Sequence, residues 1–135
     1  MIDIRIALRN LLVNDPAVAA LAGTRVYPGQ LPQGIRTPSV VYNRITGRVE
    51  YRLNGSAGLI EDSYQIDSIA VDHDTATALA LAVHDCLSAR SGSFVIATVT
   101  YVVRAIFRVN TRDLYDSTTQ LHRIATDFTV WYRET

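Results

Sequence analysis

"HRIATDFTVWY", His122 to Tyr132, is the stretch on which the fold turns. Ile124, Phe128, Val130 and Tyr132 share one parity, while Arg123, Asp127 and Trp131 share the other. Successive side chains of a strand point to opposite faces, so this pattern predicts a strand with one buried and one wet face. Upstream, "TVTYVVRAIFRV" (98–109) repeats it, with Val99, Tyr101, Val103, Ala105, Phe107 and Val109 set against Thr100, Arg104 and Arg108. Between the two, "NTRDLYDSTTQ" (110–120) is rich in turn formers and reads as a loop too long for a tight hairpin.

Working towards the N-terminus, "DHDTATALALAVHDCLSARSG" (72–92) predicts a helix. Asp74 is the expected N-cap, Ala76, Leu79, Ala80, Val83 and Leu87 form the buried stripe, and Gly92 marks the exit. Two further alternating runs precede it. "SVVYNRITGRVEY" (39–51) sets Val41, Ile45 and Val49 against Tyr42, Arg44 and Arg48, and "DSYQIDSIAV" (62–71) sets Tyr64, Ile66 and Ala70 against Ser63, Gln65 and Asp67. They predict a hairpin with a long tip near Asn54-Gly55. "GTRVYPGQLPQGIRTP" (23–38) holds three prolines and three glycines, which excludes a helix or a central strand and leaves a binding arm or a flap over a sheet edge. Residues 3–14 read as an amphipathic helix with Asp3 at its N-cap and Ile4, Ala7, Leu8, Leu11 and Leu12 on one stripe. Asp15, Pro16 and Gly23 then cap, open and close a short helical restart.

The resulting order, α–β–β–α–β–β, predicts an α+β fold: a mostly antiparallel four-stranded sheet with two helices packed on one face. A length of 135 residues predicts a single domain over 1–135, large enough to bury roughly two-thirds of its unfolded surface. With 48% hydrophobic and 19% charged residues the chain has the composition of a folded unit. Thirteen Lys+Arg balance thirteen Asp+Glu, so no global field attracts nucleic acid or an anionic membrane. All thirteen cations are arginine. Codon usage explains this most simply; planar bidentate pairing at interfaces is the alternative. A lone cysteine, Cys86, excludes an intrachain disulfide and a multi-cysteine zinc site. Charges at Asp3, Arg5 and Arg9 interrupt any signal-peptide core, and no apolar run reaches membrane-spanning length, so a soluble, non-secreted chain is expected.

On this reading the uncovered sheet face carries Arg44, Arg48, Arg104, Arg108 and Arg123 against Asp67 and Asp127, an excess of three positive charges in a neutral chain. Arg52 extends the row towards the hairpin tip, and Trp131 lies on the same parity. A solvated surface with weak ion pairs accounts for such a face. So does a surface that meets another subunit or a polyanion, and an outward tryptophan favours that second reading.

Catalytic constellations are absent from the pattern. Asp72, His73 and Asp74 are adjacent residues at a strand-to-helix junction and point apart, so helix capping is their simpler role. His84 and Cys86 are two apart on a helix and share no face, and His122 begins a strand. No serine sits in a nucleophile elbow, and neither a phosphate loop nor a dinucleotide fingerprint occurs. No enzyme, cofactor or metal is expected.

Three runs carry a resemblance: "LRNLLVNDPAVAALAGTRVYPGQLPQGIRTPSVVYNRI", "SYQIDSIAVDHDTATALALAVHDCL" and "DLYDSTTQLHRIATDFTVWYRE". In this joint order they are similar to the tail completion, or tail terminator, proteins of long-tailed bacteriophages and phage-like particles. The resemblance implies a homo-oligomeric ring, usually of six copies, that caps the tail tube, stops its polymerisation and offers a docking surface to the head. The implied partners are further copies of the chain, the major tail tube protein, a head–tail connector or stopper protein, and DNA passing through the lumen without sequence-specific binding. The implied location is the neck region of the virion tail, after assembly in the bacterial cytoplasm. Candidate subunit or tube contacts are Tyr27 and Gln30 of the arm, Arg48, Arg52 and Asn54 of the hairpin tip, and Arg112, Asp113, Tyr115 and Asp116 of the last loop. Arg44, Arg104, Arg108, Arg123 and Trp131 are candidates for a channel or inter-subunit seam. Another neck component, a head-completion or connector adaptor, is the nearest alternative, and a small-molecule-binding α/β module a more distant one.

Overall fold

A computed structural model describes residues 3–34, 37–52, 55–88 and 90–133, with side chains described except at 48–52 and 55–58. The first helix, α1 (Ile4–Asn14), begins where the Asp3 carboxylate accepts the Arg5 amide at 3.1 Å. It buries the predicted stripe of Ile4, Ala7, Leu8, Leu11 and Leu12. Its successor, α2 (Pro16–Ala22), is capped by Asp15, which accepts the Val18 amide, and is closed by Gly23 at φ 59°, a left-handed value that glycine adopts without a Cβ penalty. The third, α3 (His73–Leu87), is capped by Asp72, one position before its first residue, and not by the expected Asp74. Asp72 accepts both the amide and the hydroxyl of Thr75 at 2.9 and 2.6 Å. Ala76, Leu79, Val83 and Leu87 are buried as expected, joined by Ala82 and Cys86, while Ala80 is half-buried.

The expected four-stranded sheet with two helices is overturned. Among the described residues there are six strands in a mixed sheet curled into a half-barrel, with three helices. The strands are β1 (Val26–Pro28), β2 (Ser39–Arg52), β3 (Gly55–Ala70), β4 (Gly92–Ile96), β5 (Val99–Asp116) and β6 (Leu121–Arg133), in the order β1-β2-β3-β6-β5-β4. Two short strands were invisible for local reasons. β1 lies inside the proline-rich arm and runs parallel to β2, with Tyr27 opposite Val41; Pro28 ends it at the sheet edge, where a missing donor is tolerated. β4 is joined to β5 by a two-residue turn at Ala97 and Thr98, with φ 50° and 69°. Such a turn normally announces itself through Asn-Gly or Asp-Gly, and neither is present.

The expected loop at 110–120 is also corrected, since β5 runs on to Asp116 and only 117–120 turn. Asp116 accepts the amides of Thr118 and Thr119, its carbonyl accepts the Gln120 amide at 2.7 Å, and Gln120 takes φ 59°. The side chain of Asp116 supplies the turn, leaving the polar residues before it free to pair as strand.

The helices cover one sheet face. Val40, Tyr42, Tyr64, Ile66, Tyr101, Val103, Ile106, Phe128, Val130 and Tyr132 pack there against α1, α2 and α3. The parities expected for β3 and β6 hold, and Val103 and Phe128 are buried while Arg104 is exposed. In β2 and β5 they do not hold throughout. Val40 and Tyr42, not Ile45, join the core from β2. Three of four register shifts explain the rest, each inserting one residue opposite a continuous partner: Ile45 after Arg44, Arg104 after Val103, and Val109 after Arg108; the fourth lies between Val49 and Tyr51. Each extra residue exchanges the faces downstream of it. Ile106 therefore enters the core while the expected Phe107 lies 53% exposed.

Candidate functional site

The bulges redistribute the arginines on which the expected positive face rested. Arg44 pairs opposite Tyr64 and Arg108 opposite Phe128, so both belong to the helix-covered side. Arg104 sits exposed in its bulge, and the side chains of Arg48 and Arg52, with Asn54 altogether, lie outside the described residues. The face away from the helices holds a hydrogen-bonded ladder across β3, β6 and β5. Arg112 donates to Asp127 at 2.9 Å and to Gln65 at 3.2 Å, Gln65 donates to Asp67 at 2.9 Å, and Arg123 pairs with Asp67 at 3.3 Å. Two guanidiniums meet two carboxylates, so this ladder is balanced and carries no excess of charge. Burial raises the Asp67 carboxyl above its ordinary value, against the Gln65 hydrogen bond and the nearby Arg123 and Arg112. Trp131 is half-buried beside it, opposite Ala105 and Glu61.

That face is also partly roofed. Gln30 to Gly34 of the arm, together with Ile69, Leu114, Tyr115, Asp116 and Arg123, line a groove of about 620 Å³. Folding thus brings the candidate contacts Gln30, Tyr115, Asp116 and Arg123 to one place, although they span 93 positions of sequence between Gln30 and Arg123. The arm is tied to the β2 edge by the Gly29 amide to the Tyr42 carbonyl at 3.1 Å and by the Asn43 side chain to the Gly29 carbonyl at 3.1 Å. Tyr27, half-buried in β1, lies outside this groove. Asp113 projects to the helix side, where its carboxylate is 3.2 Å from His73 Nε2, and Tyr115 stacks obliquely on His122 at 4.7 Å between ring centroids.

A second cluster ties the inner part of the β2–β3 hairpin to β6. Asp62, 2% exposed, accepts the Tyr132 hydroxyl at 2.8 Å and the Tyr64 hydroxyl at 3.3 Å, and Arg44 Nε stands 3.6 Å away and donates to the Tyr64 hydroxyl. Burial pushes the Tyr64 hydroxyl up to about 12, and burial with the Asp62 hydrogen bond raises Tyr132 as well, so both remain donors. The backbone at Gly47 approaches closely: a Cβ there would stand 2.7 Å from Asp62 Oδ1. A buried Asp between two Tyr could have been suspected from Asp62, Tyr64 and Tyr132 sharing the inward parity, but only strand order makes them neighbours.

The chemistry of the remaining candidates is structural. Cys86 is buried, donates to the Leu11 carbonyl at 3.4 Å, and burial pushes its thiol up to about 11, which opposes a nucleophilic thiolate. Among the described residues no group of three or more His, Cys, Asp or Glu is arranged to hold a metal ion. No described helix is long and apolar enough to cross a membrane.

Comparison with known proteins follows the same line. No curated protein matches the sequence. A chain of the solved "Virion of native gene transfer agent (GTA) particle" shares the fold at 21% identity and a TM-score of 0.70, over 93% of this chain and 91% of that one. The family described as "Tail completion protein gp17" matches residues 6–133, which include both helical and sheet halves of the molecule. The chain therefore belongs to the tail completion protein gp17 family, a family of structural virion proteins of the phage tail.

Proposed function

We propose that this protein is a tail terminator: copies of the chain close a ring on the end of the tail tube, stop its growth and present a surface to the head. The observation that carries this reading is the family match over residues 6–133. The geometry supports it in the placing of the exposed elements. The arm and the β5–β6 hairpin converge on one groove with Gln30, Tyr115 and Asp116 in it. These residues, with the hairpin tip at 48–54, are the proposed contacts to neighbouring copies and to the tube protein. Exposed Arg104 and Arg108 are the proposed lumen or seam groups, acting on DNA through charge alone. Six copies is the ring size that the resemblance implies.

The test is tube growth. Purified protein added at a small fraction of the tube subunit concentration should halt elongation and appear as a cap on tube ends in negative stain. Inhibition only at equimolar amounts, or unaltered growth, would reject termination and favour a neck adaptor on the head side. Replacing Arg104 and Arg108 together by Glu should reduce particle infectivity; unaltered infectivity would remove the lumen role from these two residues.

A further inference from the structure

The curled sheet has two unfinished edges. β6 pairs with β5 along its whole length to Asp116, but on the other side β4 pairs with it only from Val99 to Val103. Across the sheet, β3 pairs with β2 to Arg52, while β1 covers it only from Val40 to Tyr42. Among the described residues, the outward N–H and C=O groups of Arg104–Asp116 and of Asn43–Arg52 therefore have no strand partner. A free edge of this kind is a template for another strand, and proteins usually guard it with lysine, proline or an inward charge. Neither stretch contains a lysine or a proline, although each carries a charge on the helix side, Arg44 in one and Arg108 in the other. Their bulges bend the edges, yet two of the bulged residues are large and apolar: Ile45 and Val109 lie 50% and 67% exposed, next to exposed Phe107.

Strand direction selects the partner. β2, β3, β6 and β5 alternate in direction, so β2 and β5 run opposite ways at the two sides of the sheet. Rotating a second copy about an axis along the strands brings its β2 antiparallel to the β5 of the first. The two unpaired stretches stand level across the sheet where Arg104–Asn110 of β5 and Asn43–Val49 of β2 overlap, seven residues each. We infer that the Arg104–Asn110 edge of one copy adds antiparallel to the Asn43–Val49 edge of the next copy, making the contact between copies a shared β-sheet. The inference deepens the ring reading above and rests on it: a head-to-tail contact uses each edge once, and closing the ring leaves neither edge exposed.

Cysteine cross-linking tests it, because buried Cys86 leaves a quiet background. Purified Val109→Cys, Ile45→Cys and the double variant are treated with a flexible thiol cross-linker long enough to tolerate a shift of a few residues in register. Both positions are exposed, so the substitutions leave the core intact. Neither single variant should dimerise, their equimolar mixture should give a heterodimer, and the double variant should give a ladder ending in a closed species. Dimers of Val109→Cys alone would mean β5 pairing with β5 about a two-fold axis and would overturn the proposal, as would absence of product in every arm. Tube capping is assayed on the same wild-type stock. Capping without cross-links rejects edge pairing and spares the terminator reading; a ladder from a protein that does not cap does the reverse.

Discussion

The near and far halves of β5 belong to one strand and meet different surroundings. In the near half Val103 and Ile106, with their β6 partners Tyr132 and Val130, are sealed beneath the helices. In the far half Phe107, Val109, Leu114 and Tyr115 stand exposed on a strand with nothing on its outer edge among the described residues. Strand propensity is alike in both; what differs is whether a helix or a neighbouring strand lies alongside. Apolar residues therefore hold the molecule together in one half and are left available for contact in the other.

The sharpest way to break this comparison is to truncate two phenylalanines one pair apart in the hairpin, Phe128 facing the helices from β6 and Phe107 exposed on β5. Phe128→Ala, at a fully buried site, should lower unfolding free energy by about 3–5 kcal/mol, whereas Phe107→Ala should change it by less than about 0.5 kcal/mol in urea titration. Similar losses would mean that the far half is not a free surface. Next in size is the buried cluster at the root of the β2–β3 hairpin. Asp62→Ala strands two tyrosine hydroxyls and should remove about 2–3 kcal/mol. Gly47→Ala, which forces a methyl against the Asp62 carboxylate, should remove about 1–3 kcal/mol. If Gly47→Ala is harmless, the close approach at that point is not restrictive.

Smaller effects sharpen the contrast between the turns. The β4–β5 turn holds a β-branched residue in the left-handed region, so Thr98→Gly should stabilise the fold by roughly 1 kcal/mol in thermal unfolding. At the other end of the hairpin the turn is supplied by the Asp116 side chain, and Asp116→Ala should loosen protection of the Thr118 amide in hydrogen exchange without altering the core. The weakest effect concerns pH. Asp67 has its carboxyl raised above the ordinary 3.8 by burial, so the folded state holds that proton more tightly than the unfolded chain. Its contribution is favourable below pH 3.8 and is lost as pH rises through the raised value. Asp67→Asn should flatten that part of the stability–pH profile, and an unchanged slope between pH 3 and 6 would assign it to other carboxyls.

Gln30, Tyr115 and Asp116 stand in turn-rich segments of the sequence, and folding brings them to one groove. Their meeting was not legible, because it depends on the arm crossing a face built from β3, β5 and β6. The arginine-rich face failed for a related reason. Bulged residues shift the alternation along β2 and β5, and β2 carries its core residues on the Val40 and Tyr42 side, so Arg44 and Arg108 turn towards the helices.

Periodicity settled α1, α3 and the faces of β3 and β6, and the caps Asp15, Pro16 and Gly23 settled α2, since burying a stripe and closing a helix end are local requirements that each segment writes in its own residues. Strand order, the three bulges and the unpaired edges were decided only on assembly. Each follows from which strands the chain brings side by side, and hydrogen bonds between strands distant in sequence leave no periodic mark on either one.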